Sequence, residues 1–391
     1  MKILMSHFSF YRKNGWGRIF EEAKGLALLG HDVTVFCGHP KKGFGYEQKV
    51  EENVKIVCFK DVIATKRLYG GYGFISLINK CIYSFFHRFD ICLSDAHRPN
   101  AFLPCLFDRF FGNSRLFVEW WDDFSVKADR LSPRNPITKY RIKCDLKREI
   151  SSKKKADGVI TLSALLASKA EAIGIDRDRI TIVHGGCDTI HLPFNPINTG
   201  KNILAIDNNT LTFGFIGGGD VEMVDLKVFF DAVLELKDKY RIKFLNFGQP
   251  FAKATLNNPQ MKDLIIECGW IDYYGDNAIL SAVDVFVLIK QDNVENNSGW
   301  PNKFGDYLAL GRAVMVNPYG ELVEFSEQWK PGILSVKYTK ESIVGTIIDI
   351  FEGKFDLNVL AKTNREIAEQ NTWLHKAHEL ESFFMSSVRK N

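Results

Sequence analysis

A short apolar run, a glycine-bearing loop, an amphipathic helix and a second apolar run open the chain in that order, and few folds accommodate it. Residues 2–5 read as a strand, and the loop that follows contains Asn14-Gly15-Trp16-Gly17-Arg18. Ile19, Ala23 and Leu26 then share one helical face, Gly30 suits the left-handed residue that ends a helix, and Asp32-Val33-Thr34-Val35-Phe36 reads as a buried strand. This is a βαβ unit, which implies parallel strands covered by helices.

The alternation recurs. Further strands are expected at 55–59, 90–93, 116–119, 158–162 and 180–183, with a helix over 163–173 capped by Ser163. The segment 191–200, with Pro193 and Pro196, breaks the pattern and reads as a domain boundary. A second series then follows, with strands at 211–216, 242–246, 264–268, 284–289 and 313–316 and a helix over 226–236. The last segment places Trp373, Ala377, Leu380 and Phe384 on one helical stripe. At 391 residues the chain exceeds one ordinary core of roughly 100–200 residues. The expected fold class is therefore α/β, with two Rossmann-like, doubly wound domains (1–194 and 195–370) facing across a cleft. Ligand is expected at the carboxyl ends of the strands.

Composition narrows the function. A hydrophobic fraction of 46% with 25% charged residues excludes disorder, and a net charge of +4 is too weak to imply nucleic acid. The longest stretches free of Asp, Glu, Lys and Arg, such as 68–79, fall well short of the roughly 20 apolar residues of a spanning helix. The N-terminal apolar run is too short for a signal sequence, so a cytoplasmic location is expected. Eight cysteines without CxxC or clustered spacing read as buried free thiols rather than disulfides or zinc ligands.

Three stretches bear on chemistry. Gly15 and Gly17 precede a helix N-terminus, where backbone amides and the helix dipole favour an anion, although a tight turn without ligand explains them equally well. The spacing is not GxGxxG and no acid ends the second strand, so dinucleotide binding is disfavoured. Gly217-Gly218-Gly219 forms a second loop of this kind. The third stretch runs Ser298-Gly299-Trp300-Pro301-Asn302-Lys303-Phe304-Gly305-Asp306, with Pro301 suited to a first helical turn and Asp306 one turn after Asn302. Amides and a lysine there suit a diphosphate, and the carboxylate suits ribose hydroxyls. Solvated helix-end residues are the alternative. No metal site is read from the sequence, and His97 and His184 are unassigned.

At this point the chain resembles a GT-B fold glycosyltransferase, similar to family 4, the retaining family of many bacterial polysaccharide and lipopolysaccharide enzymes. The resemblance is carried by Gly30-His31-Asp32-Val33-Thr34-Val35, Ala156-Asp157-Gly158-Val159-Ile160-Thr161-Leu162-Ser163, His184-Gly185-Gly186-Cys187-Asp188, Phe213-Gly214-Phe215-Ile216-Gly217, Asn246-Phe247-Gly248 and the block 301–314. It implies a retaining, metal-independent transfer from a nucleotide sugar, itself a substrate, with no cofactor. Lys303 and Asp122 become the candidate catalytic residues: Lys303 at the donor phosphates, Asp122 holding a sugar hydroxyl or only capping its loop. Asp306, Asn302, Gly299, Ser298, Gly218, Gly269 and Trp270 become the donor-nucleotide residues, and Gly15, Gly17 and Arg18 the acceptor and phosphate loop. The final helix, 371–391, resembles a segment that crosses back to the first domain.

The chain also departs from the family. Ser298 stands where many members have a glutamate, and Asp306 where Glu is usual. The Arg and Lys expected after the first strand of the second domain are missing from Gly217-Gly218-Gly219-Asp220, and Glu119-Trp120-Trp121-Asp122-Asp123 holds no histidine.

The implied partners are a nucleotide sugar and a glycan or polyprenyl-linked acceptor. The run 139–155 holds eight cations against Asp145 and Glu149, which reads either as a solvated helix face or as a contact with an anionic membrane on the inner face of the cell. The aromatic stretch 74–89 is expected to pack in the core. A nucleotide-sugar 2-epimerase of the same fold and a two-lobed sugar-binding protein are the competing readings.

Overall fold

The computed structural model describes residues 1–13, 15–62, 70–130, 135–218, 220–252, 255, 258–272, 275 and 277–386. The chain forms two units: Met1–Gly185 with Asn297–Trp300 and Trp373–Asn391, and Gly186–Asn296 with Pro301–Thr372.

The first unit is built on strands β1 (Lys2–Phe10), β2 (Asp32–Lys42), β3 (Tyr46–Glu51), β4 (Val54–Asp61), β5 (Ile91–Ser94), β6 (Arg115–Trp120), β7 (Gly158–Thr161) and β8 (Ile180–Ile182). Their order is β3-β4-β2-β1-β5-β6-β7-β8, parallel throughout except that β3 runs antiparallel to β4. The chain reverses its direction of travel across the sheet between β1 and β5, so that pair is the switch point. Alternate residues feed two cores. Ile3, Met5, Val33 and Val35 pack with Ile19, Ala23 and Leu26 of helix Trp16–Leu28, whereas Leu4, Phe36 and Val57 pack on the opposite face with Phe102 and Leu166.

Helix Trp16–Leu28 ends as its sequence indicates. Gly30 lies at φ +87, its N–H donates to Ala27 O (3.0 Å) and the His31 N–H donates to Leu26 O (3.2 Å), a Schellman pair. Ser163 caps helix Ala164–Ala172, accepting from the Leu166 N–H at 3.1 Å. Helix Trp373–Ser386 belongs to this first unit and buries Ala377, Leu380 and Phe384. A methyl on Gly25 would lie 2.6 Å from the Ala377 Cβ, so the two helices approach at a glycine.

The second unit holds β9 (Leu211–Gly218), β10 (Ile242–Gln249), β11 (Ile265–Gly269), β12 (Val285–Leu288), β13 (Ala313–Val316) and β14 (Ile333–Ser335). All are parallel in the order β11-β10-β9-β12-β13-β14, with the switch point between β9 and β12.

The units divide between Gly185 and Gly186, ahead of the proline-rich segment expected to mark the boundary. The physical reason is local. The Cys187 N–H donates to Asn371 O (2.8 Å), and Arg365 holds the carbonyls of Thr189 (3.0 Å) and Leu192 (2.9 Å), which ties 187–192 into the second unit.

Two further expectations are revised. The eight cysteines form no disulfide, but Cys81, Cys144 and Cys268 are only partly buried. The aromatic stretch is not core: Tyr83 and Phe89 are buried, whereas Phe74, Phe85 and Phe86 are exposed.

Candidate functional site

In the second unit, the carboxyl end of β9 is occupied by glycine, and this decides what stands above it. A Cβ on Gly217 would lie 2.5 Å from Lys303 Nζ and 2.3 Å from the Phe215 ring. The Lys303 ammonium sits 4.2 Å from the centre of that ring. It reaches this position from helix Asn302–Ala309, which follows β12 at the other side of the switch point. Pro301 is the N-cap residue, supplies no side-chain acceptor and precedes an exposed Asn302.

The helix is fixed at two places. The Ile216 N–H at the end of β9 donates to Tyr307 Oη (3.2 Å), and the Tyr307 ring stacks on Phe286 of β12 at 4.1 Å and 3°. A methyl on Gly305 would come within 2.6 Å of Gly186 O, so the helix lies against backbone between Lys303 and Asp306. Asp306 is half-buried one turn from Asn302.

The neighbouring strand ends are ordered by polar groups that no periodicity reveals. Asn246 Nδ2 donates to Glu267 Oε2 (2.6 Å), and Glu267 Oε1 accepts from the Phe251 N–H (3.1 Å), joining the ends of β10 and β11. Gly269 lies at φ +73 there, followed by Trp270, which is 81% exposed. After β12, Asn317 brackets Lys290, accepting from its N–H (2.9 Å) and donating to its carbonyl (2.7 Å). Gly218 ends β9 beside Gln249, and Gly219 lies outside the described residues. Sequence reasoning missed Asn246, Glu267 and Asn317; an amide or carboxylate at a strand's last residues was the available signal.

In the first unit, Gly15 is the left-handed N-cap of helix Trp16–Leu28 (φ +80). A Cβ on Gly15 would meet the Trp121 ring at 2.4 Å, so both the conformation and the contact demand glycine. Gly17 is exposed with open space around it, and Asn14 lies outside the described residues. Arg18 turns inward. Its Nη2 donates to Glu119 Oε1 (3.1 Å) and Val183 O (3.1 Å) and pairs with Glu22 Oε1 (2.7 Å). Burial holds both glutamates above the usual carboxylate range, Glu22 well above it.

Asp122 is exposed, and its neighbour Asp123 is held locally. Asp123 accepts from the Ser125 N–H (2.9 Å) and pairs with Lys169 (2.6 Å). Ser298 and Gly299 cluster with the first unit, not the second. The Ser298 carbonyl accepts from Ser163 Oγ (2.7 Å), and a methyl on Gly299 would lie 3.6 Å from Asp122 Oδ1. His184 stacks on Trp300 at 4.4 Å.

At the first switch point, His7 Nδ1 bonds Asp95, and His7 Nε2 lies 2.9 Å from Lys13 O. His97, just beyond β5, is 8% exposed, and its Nε2 has no partner among the described residues. Burial, reinforced by Lys153, Arg98 and Arg148, holds its pKa well below the usual histidine range. Among the described residues, no three His, Cys, Asp or Glu side chains are grouped to hold a metal ion.

Gly217→Ala is expected to displace the Lys303 ammonium and weaken binding of any anion held there by about 10²-fold. Calorimetric titration of the variant with a nucleoside diphosphate checks this, and unchanged affinity would count against a site at the end of β9.

Residues 18–191 match the family model described as Glycosyltransferase Family 4. None of the curated proteins is similar to the chain in sequence. Among solved structures, sucrose-phosphate synthase from Thermosynechococcus elongatus shares the fold over 100% of both chains, at 13% identity and a TM-score of 0.76. HepE of Anabaena in complex with UDP-glucose matches 99% of this chain and 100% of its own, at 12% identity and a TM-score of 0.71. WaaG, a glycosyltransferase involved in lipopolysaccharide biosynthesis, matches 97% of this chain and 98% of its own, at 10% identity and a TM-score of 0.68.

Proposed function

We propose that this chain, a family-4-like glycosyltransferase of the GT-B fold, moves a sugar from a nucleoside-diphosphate sugar to a glycan or lipid-linked acceptor with retention of configuration. The observation that carries the reading is the Lys303 ammonium standing over Gly217 at the switch point of the second sheet. Open parallel sheets bind ligands there, and the N-terminus of helix Asn302–Ala309 adds amide donors on the same side.

As the glycosidic bond breaks, negative charge collects on the departing diphosphate. Lys303 and the helix amides oppose that charge from fixed positions, which is the largest single contribution available to such a site. With that cation in place the transfer runs without a metal. Asp306 accepts from the ribose hydroxyls and Trp270 lies beside the base. In the first unit, Asp122 and the Gly15–Gly17 loop serve the acceptor. The UDP-glucose complex of HepE supports a nucleotide-sugar donor, and the lipopolysaccharide role of WaaG supports bacterial surface-polysaccharide synthesis.

A thermal-shift screen of UDP, GDP, ADP, CMP and dTDP, without metal, tests the reading. One diphosphate is expected to raise the unfolding midpoint, by an amount set by its concentration over its dissociation constant. No response to any nucleotide, with a response to free sugar alone, overturns it in favour of a sugar-binding protein.

A further inference from the structure

Helix Phe74–His87 is built inside out. Its buried positions include Ser76, Lys80, Tyr83 and Ser84, and the polar groups of Ser76, Lys80 and Ser84 find partners inside the protein. Lys80 Nζ donates to the carbonyls of His7 (3.1 Å) and Asn100 (2.8 Å), and the Ser76 N–H donates to Asp61 Oδ2 (2.9 Å). The outward positions are Phe74 (69% exposed), Ile78, Ile82, Phe85 and Phe86 (75% exposed), which form one stripe along the helix. A helix whose outer face meets water has the opposite distribution.

The neighbouring helix Pro99–Phe111 widens the stripe. Its Phe107 ring lies 6.4 Å from Phe85 and 4.6 Å from Phe111, and Phe110 and Phe111 are exposed. A contiguous patch of large apolar side chains marks a contact surface.

Beside it, helix Pro136–Lys155 is joined through Arg98–Asp145 and through Arg109 to the Lys155 carbonyl. Both acids of this helix are turned inward, each 1% exposed. Asp145 is held by Arg98, Arg148 and Tyr72, and Glu149 accepts from Trp120 Nε1 (3.0 Å) and the Phe124 N–H (2.9 Å). What remains outward is cationic: Lys139, Arg141, Lys143, Lys147, Lys154 and Lys155, with Ile137 and Tyr140. Among the described residues no helix is long and apolar enough to cross a membrane.

We infer that this face seats on an anionic lipid bilayer, with helix Phe74–His87 lying in the interface plane and helix Pro136–Lys155 against the headgroups. The charge decides the occupant. An outward surface of cations and aromatics without exposed carboxylates on either helix complements anionic headgroups, whereas a second copy would bring the same cations opposite them. The inference deepens the proposed function by naming the surface at which a lipid-linked acceptor is met.

Co-sedimentation of the full chain tests it, with vesicles of phosphatidylcholine alone and of phosphatidylcholine with phosphatidylglycerol. Wild type is expected to sediment with the anionic vesicles. Phe85→Ser/Phe86→Ser is expected to lose about tenfold in partitioning, and Lys139→Glu/Lys143→Glu/Lys147→Glu about 10²-fold. All five side chains are exposed, so the unfolding midpoints serve as the check on fold. Wild type remaining in the supernatant, equal sedimentation with phosphatidylcholine alone, or variants that sediment like wild type each overturn the inference. A dimer by light scattering that the Phe85→Ser/Phe86→Ser pair dissolves overturns it in favour of self-association. Nucleotide response is read on the same samples. Vesicle binding without a nucleotide shift removes the transferase reading and leaves this surface standing; the reverse result removes only the surface.

Discussion

Lys303→Met is expected to abolish the thermal shift given by the cognate nucleoside diphosphate and to lower kcat/KM by about 10²–10³-fold. Methionine keeps an unbranched stem over Phe215 and removes only the charge, so the loss reports electrostatics rather than a cavity. The ammonium rests 4.2 Å from the Phe215 ring centre, a contact worth about 0.5–1 kcal/mol at a partly exposed site. A diphosphate offers far more, and the ammonium need not travel to meet it. The ligand-induced shift should therefore disappear. Lys303→Arg should recover only part of the loss, because a guanidinium is broader than the space left by the missing Cβ of Gly217. A Lys303→Met protein that keeps both the nucleotide shift and turnover would remove Lys303 from the leaving-group site.

Fully buried parallel strands announce themselves. The expected 32–36 became Asp32–Lys42, and 313–316 was matched at both ends, because both faces of such a strand must be apolar. Strand β1 runs on to Phe10 through His7 and Ser9, polar residues whose burial depends on partners such as Asp95 that lie far along the chain. The edge strand Tyr46–Glu51 is exposed almost throughout and carries no apolar signal. The stretch 74–89 misled for the opposite reason, since hydrophobicity gives a helix its apolar face but not the direction in which it points. In the site, helix Asn302–Ala309 was legible from Pro301, although Pro301 stands at the N-cap and not in the first turn as expected. That Lys303 would stand over Gly217 was not, because it requires the β9–β12 adjacency that only the strand order supplies. Arg18, read as part of an anion loop from its neighbours, faces inward because Glu22 is one helical turn away and Glu119 ends the adjoining strand layer.

Arg18→Met is expected to destabilise the protein by about 3–5 kcal/mol, because it removes the cation from between two buried carboxylates. For a unit of this size that lowers the unfolding midpoint by on the order of 10 °C. Arg18 is 4% exposed and Glu22 and Glu119 are 0% and 1% exposed, so solvent can neither replace the guanidinium nor screen what remains. The dependence on pH separates this from simple loss of packing. Burial already raises Glu22 well above its ordinary value of 4.5, and raises Glu119 as well, despite the partly offsetting charge of Arg18. A raised folded-state value means the native protein holds protons that the unfolded chain has lost. The associated stability is complete below the unfolded value and is lost as pH rises through the folded one. Without Arg18 both values climb further and the window widens upward. The deficit of the variant should therefore be small near about pH 5 and largest near about pH 8. Urea unfolding of both proteins at the two pH values measures it, and an equal deficit at both would mean that the guanidinium is held by its hydrogen bonds to Val183 and Glu119 rather than by charge. The consequence extends to the Gly15 loop. Glu119 also accepts from Trp121 Nε1 at 2.8 Å, and the Trp121 ring is what a side chain on Gly15 would strike. Protonating Glu119 in the variant weakens that hydrogen bond, so the fluorescence of Trp121 should become pH-dependent in Arg18→Met over the same window in which stability is lost.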